Sequence, residues 1–196
     1  MKLEWNKDNI VFSYCKGADL KEIALMLSKE SVCKYMFFGP NTEETTMAYF
    51  SPFISSIEND LKEEKIPDFS VFTIREKDSG NFIGQCALFP IEFTNGNYLI
   101  GYQIDDTQWE KGYGSAACEF LVYYAFTMLD AFRLTGDCTE GNVASEKTMT
   151  KSGFQSEGRQ KRYWLHNGKW YDRLLFGLMK EDIPEKRLES LRGIYG

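Results

Sequence analysis

The 196-residue chain is poor in histidine and cysteine, and it holds no run of about 20 uncharged apolar residues of the kind that spans a membrane. The single imidazole, His166, leaves little material for a histidine-based metal site or for two-histidine chemistry. Cys15, Cys33, Cys86, Cys118 and Cys138 are odd in number, widely spaced and without a C-x-x-C pair, which argues against both a disulfide framework and a zinc knuckle. No metal is expected. The opening residues, Met1 to Asn6, contain no apolar signal-peptide core, so the expectation is a cytoplasmic protein with reduced thiols and no membrane partner. Surplus positive charge is also missing. At a formal net charge of −6 a nucleic-acid partner is disfavoured, because phosphate affinity is carried by a basic surface.

What the chain does have is apolar and aromatic mass, 43% and 15% of residues, enough for a sizeable core. Its charge is uneven: Gly141 to Arg173 holds Lys147, Lys151, Arg159, Lys161, Arg162, Lys169 and Arg173 against three acids. That bias suits a local anionic ligand, and it equally suits an ordinary solvated surface.

Periodicity and turn residues predict an edge strand over Asn9–Cys15, a helix over Asp19–Leu27, and a second helix from Glu43 to Leu61 capped by Thr42 or Asn41. Three strands follow, Phe69–Arg75, Phe82–Phe89 and Asn97–Ile104, joined by short Asp-Ser-Gly-Asn and Thr-Asn-Gly-Asn turns that imply an antiparallel meander. Gly112–Leu129 is apolar on most faces, as in a helix pressed on a sheet. A strand over Phe132–Thr139, a short helix over Val143–Ser152, a hairpin over Lys161–Met179 turning at Asn167-Gly168, and a terminal helix over Pro184–Leu191 complete the chain. No repeat or linker marks a second domain. The expectation is one mixed α/β domain over residues 1–196, with 181–196 as a C-terminal helical extension.

Gly112-Tyr113-Gly114-Ser115-Ala116-Ala117 fits G-x-G-x-x-A at a helix start, where free N–H groups and the helix dipole favour a phosphate. Alone, the motif fits equally well a glycine turn that merely lets the helix pack closely. Asp137, some twenty residues on, invites a dinucleotide-binding reading. The context opposes it, because a meander precedes the glycines and βαβ units do not follow.

The strand Tyr98–Ile104, the segment Trp109-Glu110-Lys111-Gly112-Tyr113-Gly114-Ser115-Ala116, then Asn142-Val143-Ala144-Ser145 and Lys151-Ser152-Gly153-Phe154 together resemble the GNAT acetyltransferase superfamily, in order and across the whole chain. The closer resemblance is to the branch that contains the ribosomal-protein alanine N-acetyltransferases. It implies a single α/β (α+β) domain whose mixed, mostly antiparallel central sheet is flanked by helices and splayed between its fourth and fifth strands. It also implies acetyl-coenzyme A as co-substrate, held by Trp109, Lys111 and the Gly112, Tyr113, Gly114 and Ser115 cradle, with Asn142 on the pantetheine arm and Lys151 at a phosphate. A backbone N–H at Gln103 or Ile104 would face the thioester oxygen.

On the same resemblance Ser145 is the catalytic residue beside the sulfur, while the tyrosine that serves as acid in other members corresponds to Met149. The glutamates that serve as base correspond to Leu99 and Trp164, which leaves Glu140, Glu157, Asp172 and His166 as candidates, or water, or an α-amino group with its pKa of about 7.7–8.0. Phe37, Phe38, Tyr102 and Trp164 are the candidate acceptor-cleft residues, with Tyr163 and Trp170 as further aromatics for that cleft, although aromatics are more often core. The implied acceptor is a primary amine on a protein N-terminus or a small molecule, with a homodimer as candidate assembly. Two alternatives stay open. One is detoxification of an antibiotic or polyamine, drawn by the acidic residues Glu43, Glu44, Glu58, Asp60, Glu63 and Glu64; the other is a coenzyme-binding regulatory module that has lost its chemistry.

Overall fold

In a computed structural model describing residues 1–196, the chain opens with a hairpin of β1 (Glu4–Lys7) and β2 (Ile10–Tyr14), turning through Asp8 at positive φ. The edge position expected for Asn9–Cys15 therefore belongs to β1, a strand too short and too polar to show a period of its own. The meander follows as β3 (Ser70–Glu76), β4 (Phe82–Pro90) and β5 (Asn97–Ile104), all antiparallel. Next come β6 (Arg133–Thr139), β7 (Gln155–His166) and β8 (Lys169–Met179), and the eight strands form one sheet in the order β1-β2-β3-β4-β5-β6-β8-β7.

One joint in this sheet differs from the rest. β5 and β6 are parallel and pair only at Asn97–Arg133, Tyr98–Leu134 and Leu99–Thr135, after which they part. The expected splay between the fourth and fifth strands lies here, the added β1 shifting the count by one. The hairpin arm starts earlier than its sequence suggests, at Gln155. β7 also carries a bulge that sets residues 161–163 opposite a single residue, Asp172.

Helices cover both faces. On one lie α1 (Leu20–Leu27), the one-turn α2 (Glu30–Cys33) and α3 (Glu43–Lys62). Thr73 of β3 donates to Asp19 at the foot of α1 (2.9 Å), and Phe53 of α3 stacks on Phe69 at 4.3 Å. Thr42 caps α3 by accepting the Thr45 N–H at 3.1 Å, one of the two caps expected. The other face carries α4 (Tyr113–Tyr123), α5 (Val143–Lys151) and α6 (Glu185–Tyr195). α4 is shorter than its apolar run because Tyr124–Met128 widens into a π turn.

The core is aromatic. Phe120 of α4 stacks on Phe12 at 4.3 Å and meets Phe72 edge-on at 4.9 Å, while Trp5, Tyr124 and Tyr195 close around it, all fully buried. Burial pushes the Cys15, Cys118 and Cys138 thiols up to about 12 and raises the Tyr14, Tyr98, Tyr102 and Tyr195 phenols above their usual range. In the unfolded chain these groups ionise from about pH 8.5 (thiols) and pH 10 (phenols), so above those values the unfolded state holds fewer protons. Stability is therefore expected to be complete below about pH 8.5 and to fall as pH rises toward 12, which urea titrations at pH 7 and pH 10 check directly.

Candidate active site

The parting of β5 from β6 opens a cavity of about 530 Å³ that passes through the sheet. Strand alternation decides which side chains meet on each face. Gln85, Ala87, Leu99, Gly101, Gln103, Asp137 and Thr139 face α1 and α3; Ile100, Tyr102 and Cys138 face α5. Gly101 puts no side chain on the floor between them.

On the α5 face, the Tyr102 hydroxyl and Ser145 Oγ lie 3.0 Å apart, a hydrogen bond in which either can donate. Burial is the main reason that the Tyr102 phenol is raised and stays protonated. Ser145 is fixed from behind as well: its N–H donates to Asn142 Oδ1 at 3.2 Å, the N-cap of α5, so only the amide NH₂ of Asn142 remains free for the cavity it lines. Met149 of α5 is buried beside Gly136, where a Cβ would come within 2.7 Å of its sulfur.

On the opposite face, Phe37, Phe38, Tyr49 and Phe89 line a mostly apolar chamber. Phe37 stacks on Trp164 of β7 at 4.3 Å, joining the segment before α3 to the hairpin. Of the aromatics singled out in the sequence, the structure gathers Phe37, Phe38 and Trp164 here, places Tyr102 across the sheet with Ser145, and leaves Tyr163 and Trp170 exposed on the hairpin arm, outside the lining.

The backbone is arranged to match. The Asp105 N–H donates to Ile83 O (2.9 Å) in the β4–β5 ladder, and by alternation the Gln103 N–H points into that ladder too. The Tyr102 and Ile104 N–H groups point the other way, toward the gap left by β6. Of Gln103 and Ile104 it is therefore Ile104 whose backbone faces the slot, whereas Gln103 contributes its side chain.

The glycine segment lies outside the cavity, past the end of β5. Gly112, at φ +84°, is the N-cap of α4, no side chain caps the helix, and the first N–H bonded back into it is that of Ala116, to Gly112 O at 3.1 Å. The N–H groups ahead of it have no partner within the helix. An ideal Cβ on Gly112 would meet nothing within 4 Å, so the glycine serves its left-handed backbone and not close packing. Trp109 anchors this loop by donating its indole N–H to Ile104 O (2.8 Å), and Lys111 reaches Gln108 Oε1 (2.9 Å). Lys29 clamps the loop to α2 through Asp105 and Asp106, each at 2.7 Å. Lys151 is exposed on the last turn of α5, away from the cavity.

None of the four candidate bases lines the cavity. Glu140 pairs with Arg159 (2.6 Å), Glu157 with Arg133, and Asp172 with Arg159 and the Arg162 N–H (2.8 Å), while His166 sits beside Asn167 at the hairpin tip. The only carboxylate in the lining is Asp137, paired with Arg173. Sequence order had suggested for it only a ribose-binding role in a fold this chain does not have.

This geometry agrees with the comparisons. The family model described as acetyltransferase (GNAT) domain matches residues 10–155. The uncharacterized N-acetyltransferase p20 of Bacillus licheniformis is 31% identical over 155 residues, which is 79% of this chain and 84% of that protein. Two crystal structures share the fold. The ribosomal-protein-S5-alanine acetyltransferase from Vibrio fischeri has a TM-score of 0.77 at 19% identity, over 93% of this chain and 100% of that one. The spermidine N-acetyltransferase from Vibrio cholerae, in complex with CoA and spermine, has a TM-score of 0.73 at 16% identity, over 89% and 97%. The chain belongs to the GNAT acetyltransferase family, and it is an acetyl-coenzyme A-dependent acetyltransferase. No helix is long and apolar enough to cross a membrane.

Lys29→Met removes both ion pairs that hold the segment after β5. It is expected to lower stability by about 1–2 kcal/mol at pH 7. Lys29 is also the main reason that the Asp106 carboxyl is held below its ordinary pKa, so this difference should begin to shrink below about pH 4, where the aspartate of the unfolded chain takes up a proton, and continue to shrink as pH falls through the lowered value of the folded carboxyl. Urea unfolding of the two proteins at pH 7 and pH 3.5 measures it.

Proposed function

We propose that the chain transfers an acetyl group directly from acetyl-coenzyme A to a primary amine, on a protein N-terminus or a small molecule, in the cavity between β5 and β6. The observation that carries this reading is the through-sheet cavity, with the Tyr102–Ser145 pair on one face and an aromatic chamber on the other. Acetyl-coenzyme A, when bound, supplies an acyl group activated as a thioester. The unpaired N–H groups of Tyr113, Gly114 and Ser115 suit its pyrophosphate, aided by the α4 dipole. The Asn142 NH₂ suits the pantetheine arm, and Lys151 suits a phosphate.

The Ile104 N–H, free of the ladder, polarises the acyl oxygen. Ser145, hydrogen-bonded to a phenol that stays protonated, stabilises charge on the departing sulfur. The chain needs no strong base if the amine arrives neutral, as roughly a third of an α-amino group with a pKa of about 7.8 does at pH 7.5. A cytoplasmic setting goes with this reading, since all five thiols are free and buried.

The test is thiol release from acetyl-coenzyme A across N-terminal peptides and small amines, with calorimetric coenzyme binding alongside. Amine-dependent turnover is expected; tight binding without release for any amine would leave only a binding module. Ser145→Ala and Tyr102→Phe should each lower kcat by about 10- to 100-fold, with a double variant little worse than either, because the two hydroxyls act as a unit. Gly114→Asp should weaken coenzyme binding by more than about tenfold without loss of stability, since a carboxylate suits the first turn of a helix and repels phosphate.

A further inference from the structure

We infer that the acceptor is a primary monoamine, taken up as the neutral amine, on an apolar, ring-sized body, and that Gln85 is the residue that orients its nitrogen. The inference rests on the acetyl-transfer reading above and narrows its acceptor.

Gln85 is 4% exposed and lines the cavity on the aromatic face. Its Nε2 donates to Gln103 Oε1 at 2.8 Å, and its Oε1 is buried without any partner. That unpaired oxygen has almost no open surface, so a ligand donor reaches it when the Gln85 side chain turns toward the cavity it lines, and an amine is such a donor. Asp137 lies on the same face. Continuing the parallel register past Leu99–Thr135 sets it level with Gly101, across the bare floor from the Gln85–Gln103 pair. The chamber thus offers an amine one neutral acceptor and one carboxylate.

Charge then limits what body the amine can carry. Asp137 is the only charged residue in the lining, and Arg173 already neutralises it from outside. The second and third ammonium groups of a polyamine would find no counter-charge among Phe38, Tyr49 and Phe89 and would lose their water. Nor is the Trp164 ring free to take a cation on its face. Phe37 covers it at 4.3 Å, and the Arg173 guanidinium lies 5.4 Å from its centre. Apolar rings in contact with an apolar body carry no such penalty. The acidic residues Glu43 and Glu44 sit on the outer face of α3 and add nothing to the chamber.

The probes are 2-phenylethylamine, spermidine and a short polar peptide beginning with alanine. Each is titrated calorimetrically into the protein saturated with coenzyme A, and each is assayed for thiol release with acetyl-coenzyme A. Phenylethylamine should bind at least about tenfold more tightly than the other two. Gln85→Met should raise its Kd and KM about tenfold, the worth of one buried hydrogen bond, with coenzyme affinity unchanged. Gln85→Glu keeps the acceptor oxygen and should restore binding to within about threefold of the parent. Tighter binding of spermidine or the peptide, binding of none of the three, an unaffected Gln85→Met, or a Gln85→Glu as weak as Gln85→Met would each overturn the inference. Selective phenylethylamine binding with no thiol release would support it while overturning acetyl transfer itself.

Discussion

The through-sheet cavity of this chain depends on two parallel strands that stop pairing after three residues. A sheet normally consumes its backbone donors and acceptors, and buried ones left over are costly. Here the separation of β5 from β6 after Leu99–Thr135 leaves the Tyr102 and Ile104 N–H groups outside any strand ladder in the middle of the domain. The rest of the architecture makes that tolerable. β6 is held on its other side by seven register positions with β8, Met149 and Ser145 of α5 fill in from one face, and the cavity leaves open space beside the exposed groups.

The two faces of the gap are built by different parts of the chain. The donor side belongs to β5, α4 and α5, whose ends are set by strong local signals: the left-handed Gly112 and the Asn142 cap. The acceptor side is assembled from the segment before α3, from α3 itself and from the β7–β8 arm, which touch through the Phe37–Trp164 stack and the Arg173–Asp137 pair. The first side thus holds the Tyr102–Ser145 pair and the glycine segment, and the second holds the aromatic chamber.

That division also explains what the sequence reveals. The splay and the coenzyme reading of the glycine segment come only through the family resemblance, whereas the meander and the Thr42-capped helix are legible because turn residues, caps and period-two runs are local. β1 is not, being four residues with little pattern, and the early start of β7 is hidden in the polar stretch Gln155–Lys161. Within the site, the motif residues Ser145 and Asn142 stand out, but their partners do not. That Tyr102 meets Ser145 and not Phe37 follows from strand parity, and the unpaired oxygen of Gln85 appears only when β4 lies beside β5. The acids that looked free as letters are bound in ion pairs with residues 19 and 24 positions away, in Glu140–Arg159 and Glu157–Arg133. A one-dimensional reading has no means to subtract them.

The outermost strand, β7, leaves twelve residues of sheet edge facing solvent, a surface on which a second polypeptide could template itself. Its composition works against that. Arg159, Lys161 and Arg162 crowd the strand with like charge, and the bulge at residues 161–163 breaks the straight row of amides that an incoming strand would need. The same bulge that lets Asp172 gather Arg159 and the Arg162 N–H thus guards the arm against fibrillar growth, so a variant that straightens it would be a candidate for aggregation even if its catalytic centre stayed intact.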